Sequence, residues 1–213
     1  MSIDKAIEAI DRFQGNSLTK SLASLENEVV GLGAEDSLNF CSKHGINDEF
    51  INSALSIKRI AGQINVIIHA AGILHALEGL LQDGEIVQST SLGAGNTGRK
   101  FDLETNLRVA EFKFIDWQGG SESIRQNGIF KDFYELAEHQ THKAKFLYVV
   151  GTFYPLKFLN GGRALTSILS KQPKVLSQIK NKYGDSVNIA REYYELHKSE
   201  VTVCDVSQYI GRT

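Results

Sequence analysis

The sequence predicts an α/β fold, a mixed central sheet flanked by helices and preceded by a helical extension. Three observations predict it. Segments 85–92, 100–104, 108–117 and 145–152 are rich in β-branched and aromatic residues and bounded by turn residues, which reads as strands. Apolar residues recur at helical spacing before the first of these segments and between the third and fourth. The resulting order is α-β-β-β-α-β, with further helical pattern on both sides.

The elements follow in order. Ser2 or Asp4 can cap a first helix that runs to Phe13. Gly15, Asn16 and Ser17 break it, and Ser17 can cap a second, which ends at Gly31, Leu32 and Gly33. Residues 35–44 read as a third helix closed by Gly45, and a long helical element extends from Asp48 to about Asp83 and Gly84. We place a boundary at residue 60, with 1–60 a helical extension or partner-docking element and 61–213 the main domain. After the three strands comes an amphipathic helix over 121–140, with the stripe Ile129, Phe130, Phe133, Leu136 and Ala137. Residues 145–152 form a buried strand. Segments 162–170, 174–183 and 187–198 return to helix, and 201–206 reads as an edge strand.

The hairpin over 100–114 carries the chemistry. With pairing centred between Asn106 and Leu107, Asp102 falls opposite Glu111, and opposite Cβ atoms in an antiparallel pair lie about 5 Å apart. Glu111 and Lys113 share a face because strand side chains alternate, while Ala110, Phe112 and Phe114 face a core. Two like charges this close call for a cation between them, and an oxygen-rich pair suits Mg²⁺ or Mn²⁺. Glu104 shares this parity but lies nearer the turn. On the long helix, Glu78 falls on the stripe Ile64, Ile67, Ile68, Ala71, Leu74 and Leu81, and a carboxylate on a core face needs a partner or a metal. Glu85 is the alternative acid.

Asp102 followed by Glu111-Phe112-Lys113, set in this element order, resembles the catalytic core of the PD-(D/E)XK, or restriction-endonuclease-like, nuclease superfamily. The resemblance covers residues 61–152, with Phe101 where that motif often has proline. It implies a restriction-endonuclease-like core and a divalent-metal-dependent nuclease. The expected activity is that of a DNA endonuclease, in a setting such as restriction or phage defence. It further implies catalytic roles for Asp102, Glu111, Lys113 and Gln126, and metal ligation by Asp102, Glu111 and Glu78. Gln126 matches the place where superfamily members present a Gln or Lys to the reacting phosphate. Arg125, Lys143 and Lys145 are the expected substrate contacts. A non-catalytic nucleic-acid-binding or regulatory subunit with the same fold is the alternative.

Other features bound these expectations. A net charge of −2 gives no overall basic signature, so a nucleic-acid partner, probably DNA, would need a local basic surface. Lys171, Lys174, Lys180 and Lys182 offer a further basic face near the C-terminus. Cys41 and Cys204 are far apart, and with no signal peptide recognised they read as reduced thiols in a cytoplasmic chain. No run reaches about 18 uninterrupted apolar residues, so no membrane partner is expected. Gly93, Gly95 and Gly98 fit G-x-G-x-x-G, but a strand follows them where a dinucleotide site needs a helix, which leaves a loop. His69 and His75 lack the spacing of a zinc helix, and Trp117 reads as a packing residue that could instead stack on a base. A symmetric homodimer fits a nuclease that cuts both strands of a duplex, and a protein partner held by the N-terminal helices is the other expectation.

Overall fold

The computed structural model describes residues 3–93, 98–115, 117, 119 and 122–209. Ser2, Ser121 and residues 94–97 of the glycine loop lie outside them. The chain divides into two compact units, Met1–Asn65 and Val66–Thr213, with the division inside one helix, slightly later than the boundary expected at residue 60.

The first unit is helical: α1 (Ile3–Gln14), α2 (Leu18–Val29), α3 (Ala34–Lys43) and the start of α4 (Asp48–Leu80). Gly15, Gly31 and Gly45 adopt positive φ at the breaks, where a Cβ would be strained, so these turns fall where the sequence placed them. Ser17 occupies the N-cap position of α2 without a side-chain cap hydrogen bond. Ala6 and Ser53 are the buried residues among those described in this unit.

The second unit is α/β. Strands β1 (Val87–Thr90), β2 (Leu103–Thr105), β3 (Arg108–Lys113), β4 (Ala144–Val149) and β5 (Val201–Asp205) form a sheet in the order β1-β2-β3-β4-β5. The first three pair antiparallel, and β3, β4 and β5 run parallel, so the sheet is mixed and β3 is central. Helix α5 (Ser123–Ala137) connects β3 to β4. It supplies the crossover that a parallel pair requires. Helices α6 (Phe153–Leu159), α7 (Leu165–Ile168), α8 (Pro173–Tyr183) and α9 (Ala190–His197) fill the stretch before β5. The first of these was not anticipated. Pro155 stands in its first turn, where a missing N–H costs no helical bond.

Alternation along the strands sorts the core into two layers. Leu103, Ala110, Phe112 and Tyr148 pack with Ile73 and Ala76 of α4. Val109, Leu147 and Val149 pack with Phe130, Phe133 and Leu136 of α5, and with Tyr193 of α9. Helix α4 turns a different face to the sheet than expected. Gly72, Ile73 and Ala76 are buried, whereas Ile64, Ile67, Ile68 and Leu74 of the predicted stripe are exposed. This helix is apolar nearly all round, so hydrophobicity does not select a face. Small residues do. A Cβ on Gly72 would sit 2.7 Å from the Phe114 ring, and one on Gly79 would collide with Tyr209. By length and composition alone α4 could also cross a bilayer, although its second half packs on the sheet.

Candidate functional site

The β2–β3 register is Leu103↔Ala110 and Glu104↔Val109, the pairing centred between Asn106 and Leu107. Continued by one residue, it sets Asp102 opposite Glu111. Paired structure stops at that step. The Asp102 carboxylate accepts a hydrogen bond from the Phe112 N–H at 2.9 Å and meets the Glu111 carboxyl. Lys113 ends β3 on the same face as Glu111, and its neighbour across the parallel pair is Val149 at the end of β4. The cluster therefore lies at the carboxyl ends of β3 and β4, the usual place for a site on parallel strands.

Two further residues complete it, and sequence reasoning assigned a role to neither. His69 of α4 places Nε2 3.2 Å from Asp102 Oδ1. It continues the buried register of Gly72, Ile73 and Ala76 one turn earlier, which is the signal that could have found it. Asp132 of α5, 5% exposed, faces Lys113 with a carboxylate oxygen 2.6 Å from Nζ. It interrupts an otherwise apolar helix face of Ile129, Phe130, Phe133 and Leu136, and that interruption is legible in the sequence.

The electrostatics follow from this crowding. Burial works against the charge on Asp102, but hydrogen bonds from His69 and the Phe112 N–H outweigh it and hold its pKa below the ordinary value. Glu111 is pushed the other way. Burial, then the charges of Asp102 and Asp132, raise it to about 9. Burial would discharge Lys113, yet Asp132, Glu111 and Asp102 hold it cationic. The pair Asp102–Glu111 thus carries one negative charge where full ionisation would give two, and a divalent cation would remove the penalty on the second.

That donor set fits a hard, oxygen-seeking divalent cation. It consists of two facing carboxylates, oxygen donors that Mg²⁺ uses while keeping several waters. Among the described residues no group of three or more His, Cys, Asp and Glu side chains converges as a closed metal cage.

The remaining expected residues are distributed as follows. Glu78 is exposed, and at 100° per residue it lies on the opposite side of α4 from His69, about 13 Å along the axis. It is not brought to the pair, because the predicted stripe is the exposed face. Glu85 is buried at the far end of the hairpin. There it receives Arg108 Nε and Nη2 at 2.5 Å each and the Thr105 hydroxyl at 2.6 Å. Burial opposes its charge, but Arg108 and Thr105 hold its pKa low, so it is a structural ion pair. Gln126 lies about 120° round α5 from Asp132 and accepts a hydrogen bond from Arg163, so it turns away from the carboxylates. Arg125 shares the Asp132 side, lines a cavity of about 200 Å³ beside Lys113 and pairs with Glu122 at 2.5 Å.

Lys143 and Lys145 sit toward the other end of the sheet. Lys145 pairs in register with Val109, four residues and about 13 Å from Lys113 along the strand. It is buried and donates to the Ala137 carbonyl at 2.9 Å, closing the C-terminus of α5. Lys143 bonds Glu104 and Gln88, both at 2.7 Å. Both lysines have partners within the protein and lie apart from the carboxylate pair. Lys182 likewise pairs with Glu138 at 2.6 Å. Trp117 is 7% exposed and packs near Tyr154 and Phe158.

The chain matches none of the protein-family models, curated proteins or solved structures with which it was compared. The functional reading accordingly rests on the site's own chemistry.

Proposed function

We propose that this protein is a divalent-metal-dependent nuclease with a restriction-endonuclease-like core, a DNA endonuclease of the cytoplasm. One observation carries the reading. The hairpin register sets Asp102 against Glu111, with Lys113 beside them at the carboxyl ends of the parallel strands. This is the constellation of the PD-(D/E)XK superfamily, supported here by an α-β-β-β-α-β order with β3 central.

Asp102 and Glu111, with the Ala110 or Phe112 carbonyl, would hold Mg²⁺ or Mn²⁺. When bound, the cation supplies a nucleophilic water at neutral pH and offsets charge gathering at phosphorus. The protein's own groups do the rest. His69 and the Phe112 N–H fix the Asp102 carboxylate, as supporting partners commonly fix a ligand. Lys113 presents a cation to the phosphate oxygens and is aimed by Asp132. Arg125 stands on the rim, where its planar fork can take a neighbouring phosphate.

The test is incubation with plasmid, linear duplex, single-stranded DNA and RNA in Mg²⁺, Mn²⁺ or EDTA, beside Lys113→Ala. Closed circular DNA should be cut only with metal, and the variant should lose at least about 100-fold in rate, the scale set by removing one group that stabilises developing charge. A second reading, a non-catalytic nucleic-acid-binding or regulatory subunit, is favoured by the engagement of Lys113 by Asp132. Metal-dependent affinity for DNA with no cleavage of any substrate would select it.

A further inference from the structure

A second cavity, of about 290 Å³, also has Trp117 in its wall and serves none of the roles already assigned. It is lined by Trp117, Gln126, Tyr154, Lys157, Gly162 and Arg163, among others, and no carboxylate among the described residues lines it. Arg163 is oriented by neutral groups. It donates to the Gln126 side-chain oxygen and, at 3.3 Å, to the Ser167 hydroxyl. Lys157 is exposed and lies over the Phe153 ring. Among the described residues no Asp or Glu pairs with either cation. The indole N–H of Trp117, though buried, finds no acceptor among them either. Two cations and an indole N–H that meet no carboxylate or acceptor among the described residues, set against an aromatic wall, suit an anion with several oxygens.

The geometry points to a phosphate-binding subsite formed by Arg163, Lys157 and Trp117, holding a phosphate of the substrate strand away from the one cleaved. It rests on the nuclease reading for the identity of that strand. Trp117 also lines the cavity beside Lys113 and Arg125, so the two cavities adjoin at one ring, and we take a single strand to span both. Gln126 then acts by aiming Arg163, which accounts for its turn away from the carboxylates.

Trp117 is the sole tryptophan in the chain, so its emission reports on the two cavities its ring lines, and the Lys157 and Arg163 variants assign a change to this one. The intact protein in EDTA, where no cleavage occurs, is titrated with short oligothymidylate, thymidine monophosphate and inorganic phosphate. Oligothymidylate should change the emission saturably and bind more tightly than the other two. Lys157→Gln and Arg163→Gln should each weaken it about tenfold, and each should lower the salt slope by about one. Circular dichroism checks their folding, and Lys157→Gln, at an exposed position, carries the test if Arg163→Gln does not fold. Equal affinity for the mononucleotide and the oligonucleotide would overturn the strand-holding role and assign the cavity to a free nucleotide. No emission change with any probe, or parental affinity in the folded variants, would overturn the site altogether. Saturable binding without metal-dependent cleavage would refute the nuclease and leave the subsite standing.

Discussion

At the scale of single residues, the site stores an unfavourable charge that a cation would relieve. Glu111 has a pKa near 9 in the folded protein against about 4.5 unfolded, because burial and Asp102 both oppose its ionisation. The folded state therefore holds a proton that the unfolded chain has lost. This contribution to stability is complete below pH 4.5 and is lost as pH rises through 9. Glu111→Gln should thus raise the melting temperature of the metal-free protein at pH 8 by a few degrees, the shift that about 1–2 kcal/mol produces in a chain of this size. Mg²⁺ should stabilise the parent and not the variant, and more strongly at pH 8 than at pH 6, since ligation requires the deprotonated carboxylate. Thermal melts across that pH range would check both. An unchanged melting temperature would mean that Glu111 ionises freely. The same residues show why some roles were legible in the sequence. Asp102, Glu111 and Lys113 lie on one hairpin, whose register follows from its turn. His69 and Asp132 come from elements 33 and 19 residues away from their partners, and only packing brings them in.

At the scale of elements, each end of the hairpin has its own chemistry. The turn end is closed by Glu85 and Arg108, whose side chains are 0% and 5% exposed, with Tyr148 accepting from Arg108 at 2.7 Å. Arg108→Ala should leave Glu85 buried and uncompensated and cost about 3–5 kcal/mol. A denaturant titration should show the loss as a lower midpoint, and affinity for Mg²⁺ in the fraction that remains folded should not change. A loss below about 1 kcal/mol would mean that Glu85 reaches water when Arg108 is removed. Lys145, closing α5, belongs to the same structural class. Such residues mislead sequence reading because a lysine capping a carbonyl and a lysine awaiting a phosphate occupy a strand in the same way. Helix α4 misleads differently. Its apolar residues surround it, so periodicity offered a stripe, and the close approach at Gly72 and Gly79 chose another. Glu78 was lost with that choice and His69 gained.

At the scale of the whole molecule, the two units differ in how much they bury. Ala6 and Ser53 are the buried residues among those described in the first, and Ile3, Ile7, Leu18, Leu22 and Val29 stay exposed. The second carries two apolar layers around the sheet. Stability follows buried apolar area, so the first unit should unfold first. Differential scanning calorimetry should resolve two transitions, with Mg²⁺ raising only the upper one. A single transition that shifts as a whole would show the units to be thermodynamically one.

The sequence by itself determined the α/β class, the order of helices and strands, the glycine breaks of the first unit and the facing of Asp102 and Glu111. Each of these depends on contacts between residues close in the chain, or on an alternation that local backbone geometry imposes. Only the tertiary structure decided which face of α4 meets the sheet, that His69 and Asp132 meet Asp102 and Lys113, that Gln126 meets Arg163, and that Glu85, Lys143 and Lys145 find partners within the protein. Those outcomes depend on which of several chemically equivalent surfaces pack most closely. Close packing is set by the shapes of residues far apart in sequence, which no local pattern records.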